Sequence, residues 1–199
     1  MTDILILYYS RYGSIARLAE QIARGVNSVD NCSARIRTVP NVSPNTEVSE
    51  PAIPDDGPPY ANNTDLMECA GLIMGSPTRF GNMAAALKYF LDGTGSEWLS
   101  GTLAGKPAGV FTSTSSMHGG QESTLLTMSV PLLHHGMLLV GVPYTEAALT
   151  TTTTGGTPYG ASHLASEQTS TTPSDEEARI AQHLGRRVAE VARKLATCD

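Results

Sequence analysis

The chain has 199 residues, with 13 Lys and Arg against 19 Asp and Glu for a formal net charge of −6. That length suits one domain, 1–199, whose core needs no staples, and the acidic balance argues against nucleic acid, whose phosphates require a basic face. Apolar residues make up 40% and charged ones 16%, which excludes global disorder. The longest apolar runs, 4–9 and 137–140, fall far short of the roughly 20 residues of a membrane span. No basic, apolar, then small-residue leader precedes the first run. Cys32, Cys69 and Cys198 are odd in number and widely spaced. They predict neither a disulfide framework nor a metal site, but reduced thiols in a cytoplasmic protein.

Residues 4–9 form a continuous apolar run rich in strand formers, the pattern of a strand buried on both faces. The loop 10–14 follows, then Ile15, Leu18, Ala19, Ile22, Ala23 and Val26 place one apolar stripe on a helix. A second strand is predicted over 34–39, and a proline-rich irregular insertion over 40–64. A third strand covers 71–76 and a turn 77–82, after which Met83, Leu87, Phe90 and Leu91 mark a helix face. A fourth strand covers 107–114 and a polar loop runs to Glu122. The next helix, 125–133, contains Pro131, which removes a hydrogen bond and predicts a kink or a short helix. A fifth strand is expected over 137–142 and a Thr/Ser/Gly-rich loop over 145–172. The closing helix, 173–196, opens on Pro173 and three acids and carries Ile180, Leu184, Val188, Val191 and Leu195 on one face.

This alternation predicts an α/β domain, a doubly wound five-stranded parallel sheet with helices on both faces. Ligands of such sheets bind outside the carboxyl ends of the strands, at the switch in strand order. The first loop there, Ser10-Arg11-Tyr12-Gly13-Ser14-Ile15, runs straight into a helix N-terminus. It reads either as a phosphate cradle of free amides and hydroxyls or as a plain cap at Ser14 with a turn glycine. The stretch 101–107 imitates a P-loop, but it has three residues between its glycines and Pro107 where magnesium ligation needs a hydroxyl. A phospho-accepting domain needs carboxylates at the ends of strands one and three, where Ser10 and Ser76 stand, and a cysteine phosphatase needs a thiol at the first loop, near which no cysteine lies. The loops 76–83 and 112–122 add donors, glycines and the ring of Phe80. Three such loops at one sheet end suit a flat, polar-edged heterocycle carrying a phosphate.

The motifs Ser10-x-Tyr12-Gly13, Pro77-Thr78-Arg79-Phe80-Gly81-Asn82-Met83, Gly119-Gly120-Gln121-Glu122, His134-His135-Gly136-Met137 and Gly155-Gly156-Thr157-Pro158-Tyr159-Gly160 resemble the WrbA-type flavodoxin-like NAD(P)H:quinone oxidoreductases. The resemblance spans most of the chain, in order. Two departures stand out: Ser115-Ser116-Met117-His118 replaces a Gly-Thr-Gly-Gly form, and Pro131 precedes His134. The resemblance implies a flavodoxin-like fold and non-covalent FMN. Ser10, Arg11, Tyr12, Gly13, Ser14 and Ile15 would then hold the phosphate. Pro77, Thr78, Arg79, Phe80, Gly81 and Asn82 would flank the ribityl chain and ring, together with Ser113, Thr114, Ser115, Ser116, Met117, His118, Gly119 and Gly120. It gives His134 a place facing the flavin, with a catalytic role in stabilising charge or passing a proton. It puts Tyr12 on the nicotinamide side and Phe80, Trp98 and Tyr144 near the open flavin face.

The implied activity is two-electron transfer from NADH or NADPH to quinones, with both partners taking turns on one face, hence ping-pong kinetics. A homotetramer follows from the same resemblance, with Phe80 and Trp98 at neighbouring subunits' sites. Trp98, in a predicted loop, otherwise plugs a local apolar gap. His135 is expected as a packing residue, and His163 and His183 at the surface. Two rival classes are a flavodoxin-like electron carrier and a non-catalytic regulatory adaptor. Rapid NADH oxidation by the purified protein separates the enzyme from both.

Overall fold

The computed structural model describes residues 1–43, 53–165 and 171–196, so Cys198 and parts of the 40–64 and 145–172 segments lie outside it. Six strands, β1 (Thr2–Tyr8), β2 (Cys32–Thr38), β3 (Gly71–Pro77), β4 (Pro107–Thr114), β5 (Leu138–Leu139) and β6 (Ala161–Leu164), form one sheet. The order is β2-β1-β3-β4-β5, with β6 also on β4, and every pairing is parallel. Strand order reverses direction between β1 and β3, which sets the switch point there.

The uninterrupted apolar run of β1 has its explanation in this sheet. Ile4 and Ile6 face the helices α1 (Ser14–Asn27) and α7 (Asp175–Leu195). Leu5 and Leu7 face the opposite side, with α3 (Ala85–Asp92) and α5 (Gln121–His134). Successive side chains alternate faces, so a strand covered on both sides has no polar position. On the first face, α1 and α7 approach to backbone contact. A Cβ on Gly25 would lie 1.9 Å from the Gln182 carbonyl oxygen, and one on Gly185 would lie 2.1 Å from that of Ile22. The shorter helices are α2 (Asn63–Glu68), α4 (Gly95–Leu99) and α6 (Ala148–Thr151).

The fifth strand differs from expectation. Leu138 and Leu139 pair with Pro107 and Ala108, while Ala161–Leu164 pair with the other end of β4. The chain thus leaves the edge after two residues and returns some twenty residues later to complete the same edge. Val142 donates to the Pro158 carbonyl instead of the sheet, and Pro143 has no N–H to offer. The expected loop 145–172 therefore contains α6 and β6.

Its polar strand is stabilised by partners distant in sequence. Ser162 Oγ donates to Gln121 Oε1, and His163 Nδ1 lies 2.7 Å from Glu177 Oε2 with both side chains 1% exposed. His163 is accordingly a buried residue, contrary to its expected place at the surface. His183 is part-buried, with Nδ1 3.2 Å from Glu146 Oε2.

Helix α5 is longer than predicted at both ends and runs through Pro131 to His134. The proline falls in the last turn, where only one intrahelical bond is forfeited. Trp98 belongs to α4 and not to a loop. Among the described residues no helix is long and apolar enough to cross a membrane. Cys32 and Cys69 are buried free thiols, and burial pushes the Cys69 thiol up to about 11.

Candidate functional site

The loops leaving β1, β3 and β4 meet at the switch point around a pocket of about 240 Å³. Residues Ser10, Arg11, Tyr12, Ser14 and Ile15 line one side, Pro77, Thr78 and Arg79 the second, and Ser113, Thr114 and Ser115 the third. Ala165, just past β6, closes the wall, a position to which no sequence signal pointed.

The structure decides between the two readings of the first loop. The residue capping α1 is Gly13, not Ser14; it is left-handed at φ 92° and offers no side-chain cap. A glycine takes that conformation freely, whereas an L side chain is strained there. No acid stands in the first turn of α1. The helix therefore opens onto the pocket with uncompensated amides and its positive dipole end. Ser10 Oγ accepts from Gly13 N at 3.2 Å and so draws the loop around the helix end. A Cβ on Gly13 would meet nothing within 4 Å, which leaves open space over the amides. These residues fit a phosphate-bearing ligand.

The second wall is tied to the third. Thr78 N donates to the Ser113 carbonyl, and Thr124 Oγ1 donates to Thr78 Oγ1 at 2.8 Å. Arg79 Nη1 donates to the Thr78 carbonyl, and Arg79 has no carboxylate within salt-bridge distance among the described residues. Gly81 and Gly120 are both left-handed, and the Gly120 Cα region abuts Thr78 Oγ1 and Gly81. Asn82 lines a second, larger cleft beside the pocket instead of the pocket itself. Residues Ser116, Met117, His118 and Gly119 form an exposed loop outside the lining, turned by a bond from Thr114 Oγ1 to the Ser116 carbonyl. Two rings stand free on the loops at this end, Tyr12 at 76% exposure and Phe80 fully exposed, and Tyr144, outside both linings, is 68% exposed. Phe80 also holds a left-handed backbone, φ 53°.

His134 and Trp98 lie elsewhere. His134 ends α5, and Trp98 Nε1 donates to its carbonyl at 3.0 Å while the two rings stack with centroids 5.4 Å apart. Next to them Gly136 accepts from Gly105 N, at the start of β4, whereas the pocket is at the end of β4. Fourteen helical residues span roughly 21 Å, so neither ring touches this pocket. His135 Nε2 lies 3.1 Å from Thr94 Oγ1, and its Nδ1 has no partner. Burial, then the neighbouring His134, hold the His135 imidazole below its usual value, while Glu97 pulls the other way. Among the described residues no group of His, Cys, Asp and Glu is placed to hold a metal ion.

With this geometry in view, the chain can be set beside known proteins. Residues 3–149 match the family model described as NADPH-dependent FMN reductase. The chain belongs to that family. A protein of Syntrophobacter fumaroxidans named NAD(P)H dehydrogenase (quinone) is 45% identical over 96% of this chain and 98% of its own length. One of the same name from Trichlorobacter lovleyi is 45% identical over 98% of this chain and 99% of its own. The crystal structure of a flavodoxin, WrbA-like protein from Agrobacterium tumefaciens superposes with a TM-score of 0.69 at 23% identity, covering 98% and 99% of the two chains. That likeness establishes the flavodoxin-like fold, and the resemblance read from the motifs is met by the family match and the named relatives.

Within this family frame, sequence reasoning missed the residues that only the fold brings in. Ala165 reaches the pocket because β6 rejoins the sheet. Asn41 and Val42 reach the adjoining cleft from the segment after β2, and Lys88 from the middle of α3. No local pattern announces any of them.

Proposed function

We propose that the protein is an FMN-dependent NAD(P)H:quinone oxidoreductase that reduces quinones to hydroquinones by two electrons. The observation that carries this is the uncapped, acid-free N-terminus of α1 opening onto a three-loop pocket at the switch point, in a chain 45% identical to relatives named for that activity. The amides of Ser14 and Ile15 and the Ser10 loop, with Arg11, Tyr12 and Gly13, hold the FMN phosphate non-covalently. Pro77, Thr78 and Arg79 flank the ribityl chain and ring with Ser113, Thr114 and Ser115. Phe80, Gly81, Asn82 and the 116–120 loop border its outer edge. When bound, the flavin supplies the two-electron chemistry. The Arg79 guanidinium, free of a carboxylate, favours negative charge on the ligand beside it.

Tyr12, Phe80 and Tyr144 offer exposed rings on which a nicotinamide and a planar quinone stack in turn, which gives ping-pong kinetics. Trp98 and His134, too far to serve their own subunit, serve a neighbour's. His134 there stabilises charge on a quinone oxygen or passes it a proton. The α5 helix supports such an assembly: Leu126, Val130 and Leu133 are exposed while Leu125, Met128 and Leu132 are buried. Exposed apolar residues spaced along one helix face suit a second partner surface. A homotetramer with sites shared across subunits satisfies this. A cytoplasmic location fits its free, buried thiols.

The test is the purified protein's visible spectrum before and after NADH or NADPH, with heat-released flavin identified by chromatography. FMN in stoichiometric amount, bleaching by nicotinamide and recovery on adding quinone are expected. Initial rates at several quinone levels should give parallel double-reciprocal lines. Stoichiometric FAD, a spectrum that nicotinamide leaves unchanged, or intersecting lines would each contradict the corresponding part.

A further inference from the structure

Beside the flavin pocket lies a cleft of about 1020 Å³, and Arg11, Tyr12 and Arg79 line both. The two therefore adjoin along these residues, and a ligand in the cleft lies next to the flavin pocket. Lys88, on α3, lines the cleft alone. No carboxylate lines it among the described residues, so three cations face one opening on a chain whose net charge is −6. Such a local reversal of sign attracts a polyanion.

None of the three cations is locked in a buried ion pair among the described residues. Arg11 and Arg79 make no salt bridge among the described residues. Arg11 rests over the Tyr12 ring, 5.3 Å from its centroid, which leaves its N–H groups free. Lys88 pairs with Asp92 one turn away, but both side chains are more than half exposed. A pair of that kind is worth under about 1 kcal/mol, so an incoming phosphate displaces it. The single phosphate of FMN is already met by the α1 amides, and a quinone carries none. The remaining positive charge matches the other substrate.

Building on the function proposed above, we propose that this cleft takes the adenosine-phosphate half of the nicotinamide donor. Arg11 and Arg79, which line both openings, stand between the FMN pocket and its diphosphate, and Lys88 lies against the 2′-phosphate that distinguishes NADPH from NADH. Lys88 is thus a specificity-determining residue, and the enzyme prefers NADPH.

The FMN-loaded protein is titrated calorimetrically with adenosine 2′,5′-bisphosphate and with 5′-AMP, at low and at high salt. The bisphosphate should bind at least about tenfold more tightly, with the advantage shrinking as salt rises. Lys88→Gln and then Lys88→Glu should lower that advantage stepwise, and with it the NADPH-to-NADH ratio of kcat/KM. Lys88 is exposed on a surface turn of α3, so these changes leave the core intact. Equal affinity for the two probes, or a Lys88→Glu protein that keeps the wild-type ratio, overturns the assignment. If flavin is bound and quinone turns over while the bisphosphate shows no advantage, only this inference falls. If no flavin is held and neither nicotinamide reacts, the functional proposal itself fails.

Discussion

Replacing Glu177 by Gln tests the reasoning about how the split edge of the sheet is held. Glu177 Oε1 accepts from Gly155 N at 2.7 Å and Leu164 N at 2.9 Å. Its Oε2 accepts from Ser174 N at 2.8 Å and pairs with His163 Nδ1 at 2.7 Å. One carboxylate thus joins the 152–156 turn, β6 and the start of α7. A glutamine must put an NH2 where one oxygen stood. Turned toward Gly155 and Leu164 it takes the acceptor from two N–H groups, one buried and one part-buried. Turned toward His163 it orphans only Ser174 N among the backbone donors, because the imidazole changes tautomer and accepts at Nδ1, its buried Nε2 having no partner among the described residues in either tautomer. The second arrangement wins.

A buried donor left unpaired costs about 1–3 kcal/mol, and two bonds weaken from charged to neutral acceptor at about 1 kcal/mol each. Relief of the buried charge offsets part of that. A net loss of about 3 kcal/mol follows, which for a chain of this size lowers Tm by roughly 6–12 °C. Calorimetric melting at fixed, saturating FMN measures it, since a ligand that binds only the folded state moves Tm.

The pH dependence adds a second check. Burial pushes the Glu177 carboxyl up, but the bonds from His163, Leu164 and Ser174 outweigh it and leave the group below its ordinary value of 4.5. A lowered folded value means that the stabilisation is complete above pH 4.5 and drains away as pH falls through the folded value. The glutamine has no such ionisation, so the gap between the two proteins should narrow below that pH. A Tm change under about 2 °C at pH 7, or a gap that widens on acidification, refutes the account.

Two further outcomes follow from other contacts. Gly25→Ala gains about 1 kcal/mol of helix propensity, yet its Cβ would sit 1.9 Å from the Gln182 backbone oxygen. Prying α1 from α7 costs about 1–3 kcal/mol or more, so denaturant melting should show net destabilisation, and a stabilised variant would contradict the packing. Trp98→Ala removes a ring that stacks on His134 and donates to its carbonyl. It should raise the quinone KM several-fold and loosen the proposed tetramer in sedimentation while leaving FMN retention intact. A fully active monomer, or unchanged quinone kinetics in the variant, would sink the shared site.

Much of this protein is determined along the chain. The apolar run 4–9 dictates a strand with both faces covered, because no pleat position can then meet water. The stripe from Ile15 to Val26 dictates its helix. The loops that line the pocket are legible because chemistry at a strand's carboxyl end uses contiguous residues.

Only the tertiary structure decided the rest. Whether Ser14 caps α1 or leaves its amides free depends on Gly13 taking φ 92°, which several local conformations compete to set. That β6 is a strand depends on Gln121 and Glu177, 41 and 14 residues from Ser162 and His163, supplying partners to polar groups that would otherwise stay in water. His163 reads as a surface residue for the same reason, because a buried imidazole is recognisable only once its carboxylate is in place. Lys88 looks like a solvated helix charge until the sheet brings it to the opening that Arg11 and Arg79 share. The placement of His134 and Trp98 a helix length from the pocket was likewise hidden, since a motif records which residues occur together and not the direction in which a helix carries them away. Local pattern is set by short-range sterics and periodicity, while burial of a polar group is settled by what folds back upon it.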